Sequence, residues 1–138
     1  MRHPRITLSL LKLLAPSIMS LANHVRPETS FENSLLTTYV AMTNEMASPA
    51  LLPAVWDHLG ALCVRISMSH AWGTKQDQAI AHLALCISML VGHLQEPLDR
   101  FDSEFYHKQI DMILRSRDSL EVFRDRSCIL PPVADASF

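Results

Sequence analysis

The chain has 138 residues, 49% of them hydrophobic and 19% charged, with a formal net charge of −2. That length fits one domain with a hydrophobic core of its own, and it lacks the basic stripe with interleaved aromatics that marks a nucleic-acid binder. The cysteines are Cys63, Cys86 and Cys128; an odd number, two of them in helical stretches, argues against a disulfide scaffold and for a reducing, cytoplasmic setting.

Pro4 opens a helix that is expected to run to about Val25, ahead of Pro27. Arg5, Ser9, Lys12, Pro16, Ser20 and Asn23 share one narrow face. Pro16 lies on that face, where the carbonyl it strands can be hydrated, so a kink is expected rather than a break. The rest is apolar: Ile6, Leu10, Leu13, Leu14 and Leu21 on one side, Leu8, Leu11, Met19 and Ala22 on another. An arc that wide exceeds the roughly 100° stripe of a one-sided surface helix. It needs a second cover, and a second copy docked on Leu8, Leu11, Met19 and Ala22 would supply one. The basic, apolar start shares features with a signal peptide, but Lys12 interrupts the apolar stretch and no targeting role is expected. No apolar run comes near the roughly 20 clean residues of a membrane span.

Thr29-Ser30-Phe31-Glu32 has the form of a capping box and starts a second helix, to about Met46. Phe31, Leu35, Tyr39, Met42 and Met46 recur at helical spacing. The opposite face, Ser34, Thr37, Thr38, Ala41 and Asn44, is nearly uncharged and is a second candidate partner surface. Ser48-Pro49 or Pro53 begins a third helix, with Val55, Leu59, Leu62 and Ile66 inward. It ends by His70–Gly73, where Gly73 is expected to terminate it in a left-handed conformation.

Thr74-Lys75-Gln76-Asp77 is a second box-like start, with Asp in place of Glu. The fourth helix runs to about Leu94, with Ile80, Leu83, Ile87, Leu90 and Leu94 as its core stripe. Ala84, Ser88 and Gly92 form a small-residue stripe that would let a neighbour approach closely. Pro97 closes this element, and a fifth helix spans roughly Phe101–Arg124, with Glu104/Lys108 and Asp111/Arg115 as i,i+4 pairs on its charged face. The expected fold is thus all-α: a single-domain bundle of about five helices over residues 1–126, followed by a proline-containing tail over 127–138.

Chemistry is sparsely signalled. His82, Cys86, Met89 and His93 share one flank of the fourth helix, and imidazole, thiolate and thioether suit copper, zinc or haem iron. The same pattern fits a packed flank, because Cys and Met are ordinary core fillers. A four-ligand Cys/His site fails on geometry, since His58 and Cys63 lie about 140° apart around a helix. Glu104 and His107 form one Glu-x-x-His pair, where a di-iron bundle needs two pairs and two further glutamates. No nucleophile elbow or phosphate loop occurs.

No enzyme, metal or cofactor is expected. The leading expectation is a non-enzymatic interaction module, an adaptor, inhibitor, immunity protein or regulatory subunit that binds a protein partner and occludes its surface, with Trp56, Trp72 and the methionines as adaptable contact area. The alternatives are a metal- or haem-binding bundle using His82, Cys86, Met89 and His93, and a transcriptional regulator.

Overall fold

The computed structural model describes residues 8–25, 30–45 and 52–129. Five α-helices follow one another: α1 Leu8–His24, α2 Ser30–Glu45, α3 Leu52–His70, α4 Lys75–Leu94 and α5 Ser103–Ile129. A single 3-10 turn, Leu98–Arg100, joins the last two, and no strand occurs among the described residues. The protein is an all-α single-domain bundle.

Helix α4 organises it. α3 and α5 pack along its two sides, while α1 pairs chiefly with α2 and also reaches α4 and α5. The approach of α3 to α4 depends on Gly60: a Cβ there would stand 3.1 Å from the Val91 Cγ1. At the open end of this hairpin the Gln95 amide donates to the Asp57 carboxylate at 2.6 Å. At the closed end, Thr74 Oγ1 accepts from the Asp77 N–H at 3.1 Å, and the Asp77 carboxylate accepts from the Thr74 N–H at 2.9 Å. Two of the unsatisfied donors at the start of α4 are thereby paired.

Gly73 is not left-handed; no glycine has a positive φ among the described residues. Its reason is steric instead, because a Cβ at this position would sit inside the Asp77 carboxylate. Helix α5 likewise starts on a cap, with Asp102 Oδ1 accepting from the Phe105 N–H at 3.1 Å. It runs on through Ile129 rather than stopping at Arg124, so residues 127–129 are helix and not tail. The expected Thr29 cap, the Ser48-Pro49 start and residues 130–138 lie outside the described residues. Glu32, expected to reach back toward Thr29, is engaged by Arg65 of α3 at 2.9 Å.

The core holds Leu11, Leu14, Ile18, Leu21, Leu36, Trp56, Leu59, Leu83, Ile87 and Leu90, all fully buried. α1 passes through Pro16 as one helix. Ser20 of α1 is buried and its hydroxyl donates to Glu121 of α5, although the spacing had placed it on the solvent face. Leu13, expected in the core, is 46% exposed. α5 is anchored by Gln109, Ile113, Ser116 and Leu120, a narrow stripe at helical spacing.

Candidate functional site

The flank of α4 that carries His82, Cys86, Met89 and His93 does not converge on one point. His82 lies against α5, its Nδ1 3.0 Å from Ser116 Oγ, with Cys86 Sγ 3.9 Å from both ring nitrogens. His93 engages the start of α5 instead: its Nε2 accepts from the Asp102 N–H at 3.0 Å, and its ring packs on Phe101 and Phe105. A metal on Nε2 would have to displace that amide. Met89 is 43% exposed. Among the described residues no group of three or more His, Cys, Asp or Glu is placed to hold a metal ion.

The His82–Ser116 pair, 34 residues apart in sequence, opens on a cleft of about 470 Å³ lined also by Gln78, Met112, Arg115 and Ser119. A serine beside a histidine is half of a nucleophile–base arrangement, which also needs a group to orient the base. The neighbour here is the Cys86 thiol, a weak hydrogen-bonding group whose pKa burial pushes up. The Arg115 fork is held by Asp111 at 3.0 Å. The geometry therefore gives an interhelical tie with a polar rim. Burial pushes the Cys63 thiol up to about 12, and the side chain of Cys128 lies outside the described residues. Glu104 is exposed, and His107 beside it turns back to the Ser103 carbonyl at 2.8 Å.

The two surfaces read from the sequence fare differently. Leu11 and Ala22 are fully buried within the single chain, and Met19 is partly buried and packed on the same core. The Ala22 carbonyl, near the end of α1, is capped by the Asn33 amide of α2. The second apolar side of α1 is thus covered by the chain's own helices, and docking a copy on Leu11 or Ala22 would require opening the bundle. The side chains of Leu8 and Asn44 lie outside the described residues.

On α2, by contrast, Ser34, Thr38 and Ala41 are exposed and Thr37 is half-buried. Phe31, 66% exposed, heads the same stripe at spacings of three and four. The Thr37 and Thr38 hydroxyls both donate to the Ser34 carbonyl, at 2.9 and 2.8 Å, so each has its donor satisfied within its own helix.

The larger apolar surface was not singled out by the sequence. It is the outer face of the α3–α4 hairpin, opposite the core. α3 brings Val64, Met68 and, just past its end, Trp72; α4 brings Leu85 and Met89. Exposures are 43% for Val64, 70% for Met68, 93% for Trp72, 45% for Leu85 and 43% for Met89. Gly60 against Val91 and Asp57 against Gln95 fix the hairpin register. With that register, the 3.6-residue period puts Val64, Met68, Leu85 and Met89 on one side, and Trp72 follows in the turn just past the end of α3.

Ala61 and Gly92 are also exposed there, and nothing lies within 4 Å of a Cβ built on Gly92. The expected stripe of Ala84, Ser88 and Gly92 is therefore split, with Ala84 buried and Gly92 facing solvent. Trp56, expected to add contact area, is fully buried. From Gln78 to Gln95 the chain has no Asp, Glu, Lys or Arg. Against the expectation that no run comes near a membrane span, α4 is long and apolar enough to cross a membrane by length and composition, and half of that window is buried inside the bundle, as in a core helix.

Comparison with family models, with curated proteins and with solved structures finds no match.

Proposed function

We propose that the chain is a non-enzymatic interaction module that binds a protein partner and occludes part of its surface. The observation that carries this reading is the outer face of the α3–α4 hairpin, where five large apolar side chains stand 43–93% exposed. Soluble monomers rarely expose contiguous apolar patches beyond a few hundred Å². Trp and Met are enriched at interfaces, and Met adapts its shape to what it meets.

Beyond its first turn, from Gln78 to Leu94, α4 has no charged residue, which removes the desolvation cost that a charged face would carry on docking. The uncharged α2 stripe of Phe31, Ser34, Thr38 and Ala41 offers a second, smaller contact area. The metal- or haem-binding alternative has less support: His82 has Cys86 beside it, but His93 serves a different part of α5, and among the described residues no group of three or more ligands gathers.

The test is partner capture by immobilised protein, wild type against Met68→Glu/Leu85→Glu. The expected result is loss of the captured partner with an unchanged circular dichroism spectrum and an unchanged melting temperature at submicromolar concentration, where self-association adds nothing to stability. Equal capture by both proteins would overturn the reading.

A further inference from the structure

We propose that the outer face of the α3–α4 hairpin docks on a second copy of this chain, through a two-fold axis that sets the paired α3 helices antiparallel. The inference rests on reading that face as a docking surface and commits it to one occupant.

Three observations carry it. The first is shape. On α3 bulk gathers near the turn, with Trp72 exposed by 93% and Met68 by 70%, while Ala61 is exposed in the far half; on α4 Gly92 is exposed in the far half beside Met89. Space above Gly92 is open. A two-fold axis that passes beside Val64 places Met68 of each copy over Ala61 of the other, so large residues meet small ones twice. Such self-complementarity is what an isologous interface requires.

The second is polarity. The same axis brings Trp72 of one copy to Asp57 of the other. Trp72 carries an indole N–H donor and is 93% exposed, while the Asp57 carboxylate has one oxygen engaged by Gln95. An indole N–H is a donor with no acceptor capacity, and a carboxylate is an acceptor, so the match is directional.

The third is area. Val64, Met68, Trp72, Leu85 and Met89, exposed by 43–93%, together offer at most roughly 600 Å² per copy, with Trp72 the largest share because an aromatic side chain covers about 150–250 Å². Two copies would then bury at most roughly 1,200 Å², the lower end of stable interfaces.

The experiment is sedimentation equilibrium on the full chain from about 1 to 200 µM, since an interface of this size supports a Kd of about 1–10 µM. Wild type should dimerise in that range. Met68→Glu/Leu85→Glu should weaken the dimer by at least about 30-fold, an effect of two buried charges, and Thr38→Glu on α2 should leave it unchanged. Val64→Cys in a Cys128→Ser background should cross-link to itself under mild oxidation, because a residue beside a two-fold axis meets its own copy. That arm holds even if the double glutamate variant fails to fold.

A wild type monomeric throughout, or a dimer indifferent to Met68 and Leu85, overturns the pairing. If the monomeric wild type captures a partner that the double variant loses, the pairing fails and the docking reading stands. If neither property depends on this face, both fail. Flotation of a monomeric wild type with phosphatidylcholine–phosphatidylserine vesicles would put a lipid surface there and also overturn the pairing.

Discussion

Helix α1 and the α3–α4 hairpin both carry more apolar surface than a one-sided helix needs, and the fold disposes of the excess in opposite ways. α1 has α2 along one side and α4 and α5 along another, so Leu10, Leu11, Leu14, Ile18, Leu21 and Ala22 are all buried. The hairpin has neighbours on its inner side only, and Met68, Trp72 and Leu85 stay in solvent. The width of an apolar arc reports how much cover a helix wants. The number of helices packed around it decides whether the chain provides that cover.

Charge placed on each region gives the largest contrast. Leu11→Glu should destabilise the fold by several kcal/mol, because a carboxylate would replace a fully buried side chain. Leu85→Glu should change stability by no more than about 0.5 kcal/mol, as for exposed positions in general. Chemical denaturation of the two variants tests both, and comparable losses would erase the distinction between the regions.

Thiol chemistry sharpens the same boundary from inside the hairpin. Cys63 is fully buried and its pKa is raised from 9.0 to about 12, which leaves about a thousandfold less thiolate at a given pH. Iodoacetamide at pH 8 should leave Cys63 unmodified in the folded protein and alkylate it readily in urea. Mass mapping of native protein with Cys63 rapidly labelled would mean that the hairpin opens often.

Next in size is the hairpin's closed end. Gly73→Ala puts a methyl group into the Asp77 carboxylate, and losing the reciprocal cap should cost about 1–2 kcal/mol in thermal denaturation. Thr74→Ala should cost a comparable amount, and the two changes together should cost little more than either alone.

The smallest effect concerns the tie between α2 and α3. The Arg65 guanidinium at 2.9 Å holds the Glu32 carboxyl below its ordinary value of 4.5. A carboxylate depressed in the folded state adds stability above its unfolded pKa and loses it as pH falls through the folded value. Arg65→Met should therefore lower stability at pH 7 by no more than about 1 kcal/mol, since Arg65 is largely exposed. The gap between variant and wild type should close as the pH is taken from 4.5 downward.

Local signals were the legible part of this protein. The all-α bundle, the bounds of α4 and the Thr74–Asp77 cap follow from spacing and capping chemistry, which act over a few residues. So do the inward positions Val55, Leu59, Leu62 and Ile66, all buried. What escaped is what depends on helices distant in sequence. The 3.6-residue period placed Ser20 with Lys12 and Pro16, but it could not know that Glu121 would come to lie beside it.

The hairpin face escaped for the same reason. Ala61, Val64, Met68 and Trp72 follow one another at spacings of three and four, as core stripes do, and only the packing of α3 on α4 and α2 tells that this stripe is the uncovered one. The His82–Ser116 contact, 34 residues apart, left no trace in either helix read by itself. The Gly73 reading erred in mechanism alone: a glycine was needed there, for room and not for handedness.

The two tryptophans of the hairpin stand at opposite extremes of environment. Trp56 is fully sealed, and its indole nitrogen has no hydrogen-bond partner among the described residues, whereas Trp72 is 93% exposed. Their fluorescence should separate accordingly, Trp56 emitting to the blue and out of reach of iodide, Trp72 emitting to the red and readily quenched. The chain thus carries two optical channels without any label. One reports whether the bundle is intact. The other, sitting at the rim of the exposed face, reports whether anything has settled on it.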